Sequence, residues 1–528
     1  MKNRISQIAI VVMMTVVPTS CFDDDSTVGT ETLKETIITG IDKQYVKTAY
    51  VGEHLTITPD VQSGYGDDQM TYTWLLLDKN TGKEDANGNV PEPTVIGQAK
   101  SLDYEVALAP GTYEVRFMAA AANGYTAYAT ASLTVRTLFS QGFYILKETA
   151  DGRTDLDLFT PAGDKGDDLI AQIEGQPLHG KPLGLYPNYM MNYINPDNDK
   201  VESTNAITVT TDAKVIHVSR VADFKTIYTR DNICYDTMAS GEQPYATYLS
   251  ASFGYTLMLT SNGLYYTNSA IASTSSTGQF GMPAGKCSGS RYFFIDQANF
   301  GCGALWDAET HSLMAHTYNM DVSPLLYGNL SGEEETQNLA GTECLHCGYN
   351  RLASNSTGLF VLGDDAGKRY LYLTSCSFFG VQLTKRVELA AGSHAAKATA
   401  YSTNGISASY LYCLDGGKLY AYVFNSDESS ELELKPERIP ADETMSYVTN
   451  LFWNPSFSPG DAFEYLVVAT QKGNSYRLYF YQTNGGAPIG APVLVTEGTG
   501  TVRSVRFLND GFSNTDCMFG KHVYSIND

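Results

Sequence analysis

The sequence predicts an all-β protein in two parts, an N-terminal β-sandwich followed by a β-propeller of about seven blades. Three observations predict it. Residues 37–135 alternate apolar and polar side chains with period two, as strands do when one face is buried. From about Gln141 a strand, a tight glycine turn and a second strand recur with a period near 50 residues. Composition agrees: 36 Tyr and 47 Gly with only 18% charged residues favour strands punctuated by turns, and helical periodicity is almost absent.

The chain opens on a leader, residues 1–20. Lys2 and Arg4 precede a largely apolar run from Ile8 to Val17, and the small residues Thr19 and Ser20 stand before Cys21. That is the layout of a cleavable signal peptide, whose apolar run is too short to cross a bilayer, a task for about 20 residues. The Ser20-Cys21 junction resembles the lipobox of bacterial lipoproteins, with Pro18 where the lipobox usually has Leu. The resemblance implies that Cys21 is the lipid attachment site. Asp23-Asp24-Asp25 is similar to the acidic signal that sends lipoproteins of Bacteroidota to the cell surface. The expected location is therefore the extracellular face of the outer membrane, with residues 21–36, polar and Thr-rich, as lipid anchor and flexible tether.

The sandwich occupies residues 37–137. Met70, Tyr72 and Trp74 alternate with Thr71 and Thr73, and Tyr113, Val115 and Phe117 alternate with Glu114 and Arg116. Asn123-Gly124 predicts a two-residue type I′ hairpin, after which Ala127, Ala129, Ala131, Leu133 and Val135 line one face of the returning strand. Short strands around a central Trp point to an immunoglobulin-like sandwich. Tyr72-Thr73-Trp74, Pro110 to Val115 and Leu133-Thr134-Val135 resemble the polycystic-kidney-disease (PKD) form of it, with Leu75 to Asp78 replacing the glycine- and aspartate-containing loop usual after the Trp. The resemblance implies a spacer or binding platform.

The propeller is expected over residues 141–528. Gly-x-x-Tyr turns occur at Gly263 to Tyr266, Gly367 to Tyr370, Gly417 to Tyr420 and Gly473 to Tyr476, so the tyrosines lie 104, 50 and 56 residues apart. Leu305 to Leu313 fills the gap in the long interval, while Ile207 to Ile216 and Phe143 to Leu158 have the same form upstream. Each unit is expected to be one blade of four strands. Val502 to Phe507 and His522 to Ile526 supply closing strands that pair with the blade begun near Phe143. Eight blades stay open, because the terminal strands could complete their own.

Charge narrows the partners. The chain carries a net −23, which argues against nucleic acid, whose phosphates need clustered Lys and Arg. After Cys21 the cysteines are scattered; Cys344 and Cys347 in Cys-Leu-His-Cys form either a local disulfide or two unpaired thiols, since a zinc site lacks its remaining ligands. The clusters Asp151, Asp155, Asp157 and Asp164, Asp167, Asp168, and the pair Asp197, Asp199, lack the calcium-loop spacing and read as solvated turns. No cofactor or metal is expected. The H-E-x-x-H, G-x-S-x-G, Walker and Rossmann signatures are missing, although carboxylate pairs for glycoside hydrolysis can lie far apart in sequence.

Aromatic residues in Pro- and Asn-rich stretches are the ligand-binding candidates: Tyr189 and Tyr193 in Tyr186 to Tyr193, Trp453 in Trp453 to Phe457, and Trp306 beside an expected turn. Flat rings stack on sugars or peptides at small entropic cost, and nearby amides supply hydrogen bonds. The lipidated leader, the PKD-like module and a Tyr/Gly-rich domain opening with Gly142-Phe143-Tyr144-Ile145-Leu146-Lys147 resemble the PKD-like surface lipoproteins of Bacteroidota, accessory to SusC/SusD-type nutrient importers. The resemblance implies nutrient uptake: capture of an oligosaccharide or peptide outside the cell beside such a transporter complex. The alternatives are a surface hydrolase with carboxylates at the propeller centre, or an adhesin or structural surface protein.

Overall fold

A computed structural model describes residues 34–48, 53–66, 69–78, 92–108, 110–196, 198–250, 254–296, 301–317, 321–326, 336–352, 355–377, 380–426, 430–454 and 462–509. The expected leader, Cys21, most of the tether, Asp197, Pro455 to Phe457 and the closing strand at His522 to Ile526 lie outside the described residues. The fold is all-β: among the described residues helix is confined to two short segments, Leu169–Glu174 and His394–Lys397, and a 3-10 turn at Leu138–Ser140. The chain divides into two compact units, the second running from Val135 onward and also taking in the short segments Thr48–Gly52 and Ala107–Pro110.

The first unit contains a five-stranded sheet ordered Gln44–Thr48, Thr126–Arg136, Gly111–Ala121, Met70–Asp78 and Thr94–Gly97, with two-stranded pairs His54–Ile57/Leu102–Glu105 and Thr36–Thr39/Asp60–Ser63. Trp74 and Phe117 are fully buried, their rings 4.5 Å apart, and the indole N–H donates to the Ala99 carbonyl at 3.0 Å. Satisfying that donor is what lets so large a ring sit in the core. The Asn123-Gly124 hairpin departs from expectation. Asn123 keeps a negative φ while Gly124 is left-handed at +88°; the Ala121 N–H donates to the Tyr125 carbonyl at 2.8 Å and the Ala121 carbonyl accepts the Gly124 N–H at 2.9 Å. The loop is thus three residues, a turn closed by a left-handed glycine, rather than a two-residue type I′ turn.

Among the described residues the second unit is a succession of seven antiparallel sheets. The first joins Lys165–Gly166, Thr154–Phe159 and Gln141–Glu148 to the C-terminal strand Thr501–Asn509, with Phe143 opposite Phe507. The second runs Pro182–Asn195, Lys200–Thr211, Ile216–Arg220, Thr226–Thr229, and the third Pro244–Ser250, Tyr255–Thr260, Gly263–Asn268. In the third, an isolated bridge from Leu264 to Gly285 stands at the place of a fourth strand. The fourth sheet runs Phe293–Asp296, Cys302–Asp307, Ser312–His316, Val322–Pro324, and the fifth Thr342–Leu352, Asn355–Asp364, Arg369–Ser377, Gly380–Glu388. The sixth runs Ala400–Thr403, Tyr410–Asp415, Lys418–Val423, Ser430–Leu434. The seventh runs Thr444–Trp453, Phe463–Lys472, Ser475–Asn484, Leu494–Thr499.

Six of the seven hairpins read from the sequence are the central pair of their sheet, and the one at Gly263 is the second and third strands of the three-stranded third sheet. Their turns hold a left-handed residue: Gly152, Lys214, His311, Gly367, Gly417 and Gly473 lie between +48° and +80°, and Gly263 opens its strand at +147°. Successive sheets share hydrophobic cores. Met191 and Val218 of the second meet Met258 and Tyr265 of the third, and Ala246 and Leu257 of the third meet Ile295 and Leu305 of the fourth. Phe294 and Trp306 of the fourth meet Phe360 and Tyr372 of the fifth; Leu359 and Leu371 of the fifth meet Leu411 and Tyr420 of the sixth. Tyr412 and Leu414 of the sixth meet Val448 and Leu466 of the seventh. A last cluster joins Trp453 and Leu478 of the seventh to Phe143 and Leu156 of the first and Leu185 and Ile207 of the second. Packing on both faces explains why central strands such as Thr154–Phe159 are buried throughout instead of alternating.

Candidate functional site

Six sheets of the second unit contribute their first strand, or the residues just before it, and the first sheet contributes its C-terminal strand to one cavity of about 360 Å³. Pro182, Leu183, Tyr186 and Pro187 come from the second sheet, Tyr248 from the third, Arg291 to Phe294 from the fourth and Leu345 to Cys347 from the fifth. Thr399 to Tyr401 come from the sixth, Ser446 and Tyr447 from the seventh, and Val502, Arg503 and Arg506 from the C-terminal strand that completes the first. Most sit near where these strands begin, so the cavity opens at one end of the strand set. Period-two side-chain direction then turns alternate residues of each strand inward.

The lining is held in place by bonds between sheets. The Tyr401 hydroxyl donates to the Ala395 carbonyl and accepts from Arg369, both at 2.5 Å; burial pushes that phenol up to about 12 against the lowering pull of Arg369. Tyr447 accepts the Val505 N–H at 3.1 Å, pinning the seventh sheet to the C-terminal strand. Tyr248 stacks on Phe293 with centroids 5.5 Å apart. His346 bonds Thr403 of the sixth sheet at 2.8 Å, and burial together with the Arg291 charge holds the ring at about 3, so it is neutral near pH 7. Burial raises the Cys347 thiol well above its ordinary value, which removes thiolate character.

Three of the lining side chains are guanidinium groups and, among the described residues, none is a carboxylate. Arg503 pairs with Glu148 at 2.5 Å; burial would raise that carboxyl, but Arg503 and Lys181 hold it below the usual range. Arg291 lies with its guanidinium 5.2 Å from the centre of the Tyr292 ring. The arrangement offers flat aromatic faces, hydroxyls and cations. It does not offer the paired carboxylates that glycoside hydrolysis uses.

The four aromatic residues picked from the sequence lie elsewhere. Tyr189 and Trp453 are buried in the core joining the seventh, first and second sheets. Tyr193 is buried between the second and third sheets, its hydroxyl bonded to Glu202 at 2.9 Å, and Trp306 between the fourth and fifth. Each ring is closed off by packing. The stretch that suggested Tyr189 and Tyr193 is a bulged strand, and its members Tyr186 and Pro187 do line the cavity. Asn188 and Asn192, expected to meet ligand, instead bond Thr247 and the Asn268 and Ser273 carbonyls, stitching the second sheet to the third.

Two further expectations change. Asp155 and Asp157 are buried on a strand rather than solvated: Asp155 accepts the backbone N–H groups of Leu156 and Ile170, and Asp157 pairs with Lys147 at 2.6 Å. Cys344 and Cys347 are two free thiols on one strand, and no His, Cys, Asp and Glu grouping fit for a metal occurs among the described residues. The cavity-lining Arg291, Arg503 and Arg506 escaped the sequence reading, because their convergence brings together two segments about 210 residues apart, the approach to Phe293–Asp296 and the strand Thr501–Asn509.

The PKD-like family model matches residues 21–182. No curated protein matches the chain. Among solved structures, a DUF4784 family protein from Bacteroides caccae is 9% identical with a TM-score of 0.30, over 76% of this chain and 96% of that one. Saccharomyces cerevisiae Sqt1 is 12% identical with a TM-score of 0.33, over 62% of this chain and 88% of that one. The WD40 domain of SCAP from fission yeast is 10% identical with a TM-score of 0.23, over 60% of this chain and 57% of that one. At such TM-scores these likenesses assign no function here.

Proposed function

We propose that the second unit is a seven-bladed β-propeller whose central cavity captures an oligosaccharide or peptide segment, and that Cys21 tethers it by lipid to the outer face of the outer membrane beside a SusC/SusD-type importer. The shared cores from sheet to sheet, the link from seventh back to first and the C-terminal strand completing the first sheet support the propeller reading. The observation that carries the function is the convergence of six first strands and the C-terminal strand on one cavity lined by five tyrosines. Its volume lies at the small end of ligand pockets, ~300–1,000 Å³, a size for one or two sugar rings or a short peptide stretch. A neutral His346 and an unreactive Cys347, without a carboxylate pair, favour binding over hydrolysis.

Purified residues 22–528 screened on glycan and peptide arrays test the capture reading. Binding without turnover is the expected result; silence on both arrays with hydrolysis of a test substrate would replace it with the hydrolase. The anchor is tested separately: Cys21→Ala should move the protein from the membrane to the soluble fraction, and retention in the membrane would refute lipidation.

A further inference from the structure

The ionised groups lining the cavity run against the character of the chain. With 58 acidic and 35 basic residues overall, an arbitrary lining would favour carboxylates, yet the charged side chains here are Arg291, Arg503 and Arg506. Glu148 offsets Arg503 and is shared with Lys181, 3.5 Å away. Arg291 is exposed, lies over the Tyr292 ring and carries no ion pair among the described residues. Arg506 is 2% exposed, so its charge sits in a low-dielectric wall where electrostatic attraction is screened least. His346, uncharged near neutral pH, adds neither sign.

We propose that the cavity selects an acidic saccharide, its carboxylate received by Arg291 and its ring faced by tyrosines. This rests on the ligand-capture reading above. A guanidinium presents a planar fork that accepts a carboxylate through two parallel N–H bonds. Arg291 is already oriented by Tyr292, which lowers the entropy lost on binding. Around these cations stand Tyr248, Tyr292 and Tyr447, with hydroxyls from Thr399 and Ser446. Flat rings with surrounding hydroxyls match the apolar face and the equatorial hydroxyls of a sugar better than they match a peptide's apolar side chain. A uronate unit combines the two features.

Isothermal titration calorimetry of residues 22–528 tests this with three ligand sets. The first is oligosaccharides of galacturonate, glucuronate and alginate; the second is their methyl esters together with galactotriose; the third is triglutamate. At least one uronate oligosaccharide should bind ~10-fold or more tightly than its neutral ester, the loss expected when a charged hydrogen-bonded pair is broken. Arg291→Ala should remove that preference while Arg291→Lys keeps part of it, and circular dichroism should show both variants folded. Equal affinity for acidic and neutral sugars, or an unchanged preference in Arg291→Ala, overturns acid selection but leaves ligand capture standing. Tighter binding of triglutamate overturns the saccharide assignment. Silence across all three sets, with silence on the arrays, overturns both readings.

Discussion

The Tyr476 hydroxyl donates to the Asp157 carboxylate at 2.6 Å across 319 positions of sequence, joining the seventh sheet to the first. Lys147 reaches the same carboxylate at 2.6 Å and Asp168 at 2.8 Å, and the Asp168 N–H donates to Asp157 at 2.8 Å. Burial and the Asp157 charge push the Tyr476 phenol well above its ordinary range, so it stays a proton donor. The group forms a polar latch where the two ends of the second unit meet.

Breaking the latch should lower stability in proportion to what is left unpaired. Tyr476→Phe removes one bond to a charged acceptor and should cost about 1.5–3 kcal/mol. Lys147→Met strands two carboxylates, one of them buried, and should cost about 3–5 kcal/mol. Urea unfolding measures both; equal and negligible losses would mean that the latch contributes nothing to closure.

Glu464 plays a similar part between the sixth and seventh sheets. It accepts from Asn404 at 2.9 Å, Ser407 at 2.6 Å and Asn450 at 3.1 Å, while Asn450 accepts the Gly405 N–H at 2.8 Å. Asn450→Leu leaves Gly405 and Glu464 short of partners and should destabilise by about 1–3 kcal/mol per orphaned group. A melting temperature equal to the parent's would show that solvent replaces these bonds.

Close packing between the fourth and fifth sheets depends on Gly358, where an added Cβ would stand 2.0 Å from the Phe294 ring. Neither ring nor backbone can yield that far, so Gly358→Ala should cost about 1–3 kcal/mol or more through overpacking. Phe294→Leu in the same chain should recover part of the loss. An additive double variant would place the strain elsewhere.

Acid should weaken the fold through two histidines. Burial holds His346 at about 3 and His316 at about 4, whereas an unfolded histidine titrates near 6.5. Between those limits the unfolded chain binds protons that the folded chain refuses, so stability falls as pH drops below about 6.5 and the effect levels off below the folded values. Each ring contributes a slope of up to ~1.4 kcal/mol per pH unit within its window. Urea midpoints between pH 5 and 7 should depend less on pH in His316→Leu and His346→Leu; slopes identical to the parent's would refute this account.

The fold was more legible than the site. Gly367, Gly417 and Gly473 announce their hairpins because a left-handed turn residue is a local requirement, and Val502 to Phe507, expected to pair with the strand begun near Phe143, does so. Trp306, Trp453, Tyr189 and Tyr193 misled because a large ring marks an inter-sheet core as strongly as it marks a ligand platform. The in-strand asparagines Asn188, Asn192, Asn350 and Asn450 carried a usable signal, since Asn is depleted in strands unless its amide has a fixed partner. Arg291, Arg503 and Arg506 carried none: their shared cavity is a property of how the sheets pack, which no local spacing encodes.

Hydrogen–deuterium exchange on residues 22–528, with and without a ligand selected from the arrays, tests the central claim most directly. Ligand should slow exchange at the cavity-lining segments near residues 182–187, 291–294, 345–347, 399–401, 446–447 and 502–506. Protection confined to residues 34–134, or to outer strands such as Ser430–Leu434, would contradict it.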